Sequence, residues 1–78
     1  MIGRAHCHLC DDMRVAVQGF AREHRVPLAL QMVDLDDLPM LEARFGALVP
    51  VLLLGVGTDG VEICQHRLDE NALRAALS

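Results

Sequence analysis

The sequence contains no lysine, tryptophan or tyrosine, and only two phenylalanines among its 78 residues. Its seven basic residues are all arginines that form no cluster, and eleven acids bring the net charge to −4. A nucleic-acid-binding surface needs a basic stripe and often aromatic rings for base stacking, and an anionic membrane attracts basic segments. We therefore expect neither a nucleic acid nor an anionic membrane surface as a partner.

Long apolar runs are also absent. The longest candidate, VPVLLLGVG, has the length of a strand, whereas a membrane span needs roughly 18 residues. The first residues lack the basic-then-apolar pattern of a signal peptide. We therefore expect a cytoplasmic protein, a setting in which stable disulfides are rare. Its three cysteines, Cys7, Cys10 and Cys64, are predicted to be reactive, metal-binding or simply buried.

Hydrophobic residues are abundant, at 53% of the chain, which excludes a disordered tail. The length of 78 residues, without an internal repeat or a linker, predicts one domain spanning residues 1–78. A chain of this size buries only about 60% of the surface that its unfolded form exposes, so we expect a thin core.

The apolar pattern of the first half predicts a helix, a strand and a second helix. Apolar residues recur on one helical face from Leu9 to Phe20, which predicts a helix over about residues 8–24. The run LALQMV, residues 28–33, is typical of a strand buried on both faces, as in a parallel sheet. Asp36 or Asp37 is then expected to cap a second helix, with Pro39 in its first turn.

The second half predicts two strands and a helix. VPVLLLG and VEICQH read as strands, and the glycine-rich GVGTDG between them reads as a hairpin connection. Asp69 is expected to cap a last helix, ENALRAAL. Helix–strand alternation requires a parallel pair and the hairpin an antiparallel pair, so the sequence predicts a small α/β sheet with helices on both faces.

The motif CHLC, at the start of the first predicted helix, is the main chemical signal. Unpaired N–H groups and the macrodipole at a helix N-terminus favour the thiolate of Cys7, which is the nucleophilic form. Cys10 lies one helical turn further on and can close a disulfide onto Cys7. We therefore predict that Cys7 attacks a substrate disulfide and that Cys10 resolves the mixed intermediate. Arg4, His6 and His8 bring potential positive charge near Cys7 and are predicted to favour its thiolate as well.

Two other interpretations of this cluster remain open. HCHLC contains two thiol and two imidazole groups, which zinc or copper would accept, with Cys64 and His66 as potential further ligands. The same segment could also bind a partner without any redox chemistry, as a redox-inert adaptor. Cys64 itself is interpreted as a packed, small apolar residue, with a third redox thiol as the alternative.

Three stretches, GRAHCHLC, VDLDDLPMLEARFGALVPVLLLG and EICQHRLDENALRAAL, together resemble the glutaredoxin-like branch of the thioredoxin fold over essentially the whole chain. The resemblance implies a three-layer α/β/α domain with a mixed four-stranded sheet in the order βαβαββα. Only Met1 to Arg4 are available for its central first strand, which should therefore be very short. The resemblance also implies a cis peptide bond between Val49 and Pro50, in a loop beside the cysteine motif that binds substrate peptide or glutathione.

The resemblance further implies a thiol–disulfide oxidoreductase with no permanently bound cofactor. Its partner would be a disulfide-containing protein or glutathione, and glutathione or another thioredoxin-like protein would donate electrons. Typical glutaredoxins have Cys-Pro-Tyr-Cys and a Gly-Gly pair before the last helix, where this chain has CHLC and QHRLD. Because the short first strand leaves strand edges unpaired, we expect a marginal monomer or weak self-association through the incomplete sheet.

Overall fold

Strand β1 (Ile2–Gly3) lies at the centre of a four-stranded sheet in the computed structural model, which describes residues 1–55 and 58–78. The remaining elements are α1 (His8–Glu23), β2 (Val33–Asp34), α2 (Glu42–Phe45), β3 (Val51–Leu54), β4 (Val61–Gln65) and α3 (Glu70–Leu77). The strand order is β2-β1-β3-β4; β1 and β2 are parallel, and the other neighbouring pairs are antiparallel. The predicted thioredoxin-like α/β fold, with its very short first strand, is confirmed.

Apolar side chains fill both faces of this sheet and so create three layers. One cluster joins α1 and α3 to the sheet, and it consists of Met1, Cys10, Met13, Val17, Phe20, Leu52 and Leu73. The cluster on the other face joins α2 to the sheet, and it consists of Ile2, Leu35, Phe45, Val51 and Leu53. Strand β3 contributes to both clusters because successive side chains of a strand point to opposite faces.

Helix α1 follows the predicted span but buries a slightly different face. Its buried residues are Cys10, Met13, Val17 and Phe20, whose spacing of three and four residues keeps them on one side. Leu9 was expected on that side but is 41% exposed, and Cys10 takes its place. The helix therefore carries an exposed leucine between its two N-terminal cysteines.

The prediction of a strand over LALQMV is wrong for most of its length. Only Val33 of this run lies in β2, because β1 begins at Ile2, which pairs with Val33. Hydrogen bonds of Met1 continue the contact back to Gln31. There the Met1 amino group donates to the Gln31 carbonyl over 2.7 Å, and the Val33 amide donates to the Met1 carbonyl over 2.8 Å. The run is not buried on both faces either, since Leu28, Leu30 and Val33 are only half-buried while the other three residues are exposed.

The segment after β2 forms two short 3₁₀ turns before α2, and its cap differs from the prediction. The Asp34 carboxylate accepts the Asp36 amide at 2.9 Å, so Asp34 caps the first turn instead of Asp36 or Asp37. Pro39 opens the second turn, as expected. Leu38 separates the two turns with φ −131°, because a residue that precedes proline disfavours the helical region.

The hairpin of β3 and β4 and the last helix are close to the prediction. Two residues of the expected connection, Val56 and Gly57, lie outside the described residues. The pairing shifts between Leu52 and Leu53, so that Ile63 and Cys64 both pack against the α1 side of the sheet. Asp69 caps α3 as predicted, because its carboxylate accepts the Ala72 amide at 3.0 Å.

Candidate redox site

Cys7 and Cys10 are joined in a disulfide at the point where the chain leaves β1 and enters α1. Their Cα atoms are 5.2 Å apart, within the usual range for disulfides. The two sulfurs differ in accessibility: Cys7 is half-buried at the N-cap position, whereas Cys10 is only 3% exposed and belongs to the core. An incoming thiol or disulfide can therefore reach Cys7 more easily than Cys10.

Two backbone amides at the start of α1 donate hydrogen bonds to Cys7, one of them to its sulfur. The amide of Cys10 donates to the Cys7 Sγ at 3.2 Å, and the amide of Asp11 donates to the Cys7 carbonyl at 3.1 Å. On the buried side, Gly3 approaches Cys10 so closely that a Cβ at Gly3 would lie 3.1 Å from its sulfur. The glycine at the end of β1 thus lets the buried cysteine pack directly against the central strand.

Arg4 contacts two carboxylates at the end of β1. Its guanidinium donates to Asp36 Oδ1 and to Glu42 Oε1, each at 2.6 Å. The hydrogen bond with Glu42, followed by the attraction of both carboxylates, raises the pKa of Arg4. These contacts tie the residue that precedes the cysteine loop to the 3₁₀ turn after β2 and to α2. The influence of Arg4 on Cys7 stays a prediction, and its charge is shared with two acids.

His6 and His8 lie on either side of Cys7 in the chain, and both are exposed. His6 has a φ of 55°, in the left-handed region, so the loop turns sharply just before the reactive motif. Their effect on the Cys7 thiolate stays a prediction.

The bond between Val49 and Pro50 is cis, as the family resemblance implied. Pro50 is buried, Val49 is half-buried, and β3 begins at the next residue. The Pro50 carbonyl accepts the amide of His66 at 2.8 Å, which connects this loop to the end of β4. Binding of substrate by Val49 and Pro50 stays a prediction.

A groove of about 360 Å³ runs between α1 and the turn that joins β4 to α3. Its lining residues are Leu9, Asp12, Met13, Ala16, His66, Arg67, Leu68 and Glu70. The groove brings Leu9, which lies between the two cysteines, together with His66, which contacts Pro50. The sequence analysis considered His66 only as a potential metal ligand and gave Leu9 no role in the site, although the replacement of Gly-Gly by QHRLD was a signal.

Cys64 is a free, half-buried thiol on β4. Burial raises its pKa, the Asp69 carboxylate raises it further, and a hydrogen bond with the Asp69 backbone opposes them. Cys64 therefore favours the protonated thiol, in agreement with its interpretation as a packed, small apolar residue. In the part of the chain that the structure describes, no group of three or more His, Cys, Asp or Glu side chains could hold a metal ion.

The strand order, the cysteine pair at the start of α1 and the cis bond before β3 define a thioredoxin-like domain with a thiol site. A family model, the Glutaredoxin-like domain (DUF836), matches residues 1–78, and the chain therefore belongs to the glutaredoxin-like family. The chain is also similar to the solution NMR structure of protein Ne2328 from Nitrosomonas europaea. The TM-score is 0.82, the identity is 27%, and the match covers 99% of this chain and 86% of that one. No curated protein matches the sequence.

Family membership and the Cys7–Cys10 pair together support a thiol redox role for this domain and, in general terms, a redox partner. Among residues 1–55 and 58–78, no helix is both long and apolar enough to cross a membrane.

Proposed function

We propose that this protein is a thiol–disulfide oxidoreductase in which Cys7 is the nucleophile and Cys10 the resolving thiol. The observation that carries the proposal is the unequal setting of the two sulfurs. Cys7 is accessible at the N-cap and receives the Cys10 amide at 3.2 Å, whereas Cys10 is buried. An amide donor and the positive end of the helix dipole favour a thiolate at Cys7.

The reaction balances as a two-electron exchange. The Cys7 thiolate attacks one sulfur of a substrate disulfide, so that a Cys7–substrate disulfide forms and one substrate thiolate leaves and takes a proton from water. Cys10 then gives up its proton, and its sulfur attacks the Cys7 sulfur, which forms the Cys7–Cys10 disulfide and releases the second substrate thiol. Two electrons and two protons thereby pass from the protein dithiol to the substrate.

The cycle closes when an external thiol reduces the Cys7–Cys10 disulfide. Two glutathione molecules, or the dithiol of another thioredoxin-like protein, would supply the two electrons and two protons. The substrate would be a disulfide-containing protein or glutathione disulfide, and no permanently bound cofactor is required. The loop at Val49 and Pro50 would bind the substrate backbone, and the unpaired segment before β2 would allow weak self-association.

Trapping of the mixed disulfide tests the assignment of the two cysteines. The reduced Cys10→Ser variant, incubated with a peptide disulfide, should accumulate a peptide adduct at Cys7 that mass spectrometry detects. The Cys7→Ser variant should form little adduct, and Cys64→Ser should behave like the wild type. Equal adduct formation by Cys7→Ser would contradict the roles proposed here.

Alkylation of the reduced protein with iodoacetamide tests the activation of Cys7. The pH dependence of its rate should give a thiol pKa clearly below the unperturbed value of about 8.5. A midpoint at that unperturbed value would remove the physical basis for Cys7 as the nucleophile. The zinc or copper site and the redox-inert adaptor remain alternatives, and metal analysis of protein purified without added metal tests the former.

A further inference from the structure

The turn at the end of β4 adopts a backbone conformation that is costly for its residue. His66 has a φ of 66°, and the Arg67 amide donates to the Gln65 carbonyl at 2.7 Å across it. A three-residue turn closed in this way around a positive φ is the rare and strained type of γ-turn. Such strain costs on the order of 1–3 kcal/mol and is concentrated at functional sites. Glycine would adopt this conformation without that cost.

The strained turn lies beside the redox site. The His66 amide donates to the Pro50 carbonyl at 2.8 Å, so the turn is fixed to the loop that precedes β3. The side chains of His66 and Arg67 are exposed, and both residues line the groove together with Leu9, which lies between the two cysteines in the chain. The backbone thus holds a histidine and an arginine at the wall of a groove that Leu9 also lines.

Charge in this groove is unevenly distributed. His66 and Arg67 lie on the wall next to Pro50, whereas Asp12 lies one helical turn beyond Leu9 and Glu70 lies in the first turn of α3. Leu9, Met13, Ala16 and Leu68 provide the apolar part of the lining. The wall that is fixed to Pro50 therefore carries the two basic side chains of the groove, with an apolar surface beside it.

We propose that the His66–Arg67 turn selects protein substrates with an acidic side chain next to the disulfide under attack. The substrate segment would lie in the groove, its carboxylate paired with Arg67 and His66 and its neighbouring apolar side chain against Leu9. This inference rests on the proposed oxidoreductase function and names the substrate class that the site prefers. The strain at His66 is retained because the histidine contributes to binding, whereas glycine would be more stable and would bind less well.

Two peptide disulfides test this specificity. They are identical except for Asp or Asn beside the cysteine, and each reacts with the reduced protein in a single turnover, so that no external reductant is needed. The ratio of the two second-order rate constants is compared between the wild type and its variants, which cancels the intrinsic effect of Asp on peptide reactivity. The variants are His66→Gly, Arg67→Gln and the control Arg25→Gly.

Arg25 is a matched control because it also has a left-handed φ, 54°, and is exposed, but it lies just past the other end of α1. Arg25→Gly and His66→Gly should both preserve or raise the melting temperature, since each places a glycine where the backbone has a left-handed φ and so removes local strain. His66→Gly and Arg67→Gln should each reduce the Asp-to-Asn ratio by about two- to fivefold, as expected for a partly exposed charge pair. Arg25→Gly should leave the ratio unchanged.

An Asp-to-Asn ratio that is the same in His66→Gly, Arg67→Gln and the wild type would overturn this inference and leave the proposed function intact. A reduced ratio in Arg25→Gly as well would also overturn it, because the preference would then reflect only the overall charge. If the wild type reduces neither peptide, the proposed function fails, and the substrate preference fails with it.

Discussion

The two ends of the sheet differ in how they are held together. At the site end, the carboxyl end of β1, polar contacts join neighbouring segments: Arg4 pairs with Asp36 and Glu42, and the His66 amide bonds to Pro50. At the opposite end, which we call the hairpin end, Leu28–Leu30 and Leu52–Gly55 line a cavity of about 70 Å³. Backbone pairing of β1 reaches only from Met1 to Gly3, so no strand of the described chain fills this gap.

The comparison indicates that the polar contacts hold the redox site in place, in addition to the stability that the hydrophobic core provides. A chain of 78 residues has a small core, and its total stability is expected to be about 5–10 kcal/mol. The few charged and capping contacts at the site end hold the loop between β1 and α1, where the cysteines lie. The hairpin end tolerates weaker packing because no candidate site residue lies there.

The largest difference between the two ends is expected from two leucines on either side of β2. Leu35, at the site end, is 0% exposed, and Leu30, at the hairpin end, is half-buried. Leu35→Ala should lower the free energy of unfolding by about 2–5 kcal/mol, because it leaves a cavity in a closed core. Leu30→Ala should cost about 1 kcal/mol. Urea denaturation of both variants measures the difference, and equal losses would contradict the comparison.

A smaller effect is expected from the cap that follows β2. Asp34→Ala removes the acceptor of the Asp36 amide and should cost about 1 kcal/mol. Asp37→Ala, at an exposed position three residues away, is the control and should change the free energy of unfolding by less than about 0.5 kcal/mol. A larger loss in Asp37→Ala than in Asp34→Ala would contradict the assignment of the cap to Asp34 and would favour Asp37, as the sequence analysis expected.

Arg4→Gln should loosen the site end without disturbing the hairpin end. The variant should have a lower melting temperature, and the difference from the wild type should shrink as salt is added, because exposed charge pairs are screened. Amide exchange should accelerate in the cysteine loop and around Glu42, and stay unchanged at Leu28–Leu30. Uniform acceleration would show that Arg4 supports the whole fold and not the site end in particular.

The smallest effect concerns the pH dependence of stability through Cys64. Its pKa is raised in the folded protein, so the unfolded chain loses this proton at a lower pH than the folded chain does. The stabilising contribution is therefore complete below about pH 8.5 and is lost as the pH rises towards the folded pKa. Cys64→Ala should flatten the decline in stability above pH 8.5. Identical alkaline slopes in denaturation experiments would contradict this assignment.

The sequence predicted the parts of the structure that depend on local patterns. The periodic apolar residues of α1 and the Asp69 cap are visible within short windows, and the structure contains both. Strand β4 also forms where the sequence predicted it, but the register shift breaks the expected alternation at Ile63 and Cys64. The cysteine motif and Pro50 were visible as well, and the family resemblance supplied the cis bond. These features need little information about distant residues.

The missed features depend on contacts between distant segments. LALQMV has the composition of a strand, but its pairing is limited by how far β1 extends beside it. Asp34, Asp36 and Asp37 are similar as capping candidates, and the position of β2 selects Asp34. The strained turn at His66 follows from its hydrogen bond to Pro50, sixteen residues earlier. No local pattern in the sequence contains this information.

Redox titration of the wild type, followed by intact mass spectrometry, tests the central claim most directly. The protein is equilibrated in buffers of increasing reduction potential and then alkylated, beside Cys7→Ser. The wild type should pass in a single two-electron transition from three alkylated cysteines to one, with Cys7 and Cys10 joined in a disulfide and Cys64 alkylated throughout, and Cys7→Ser should show no such transition. A wild type that forms no internal disulfide at any potential would contradict the account.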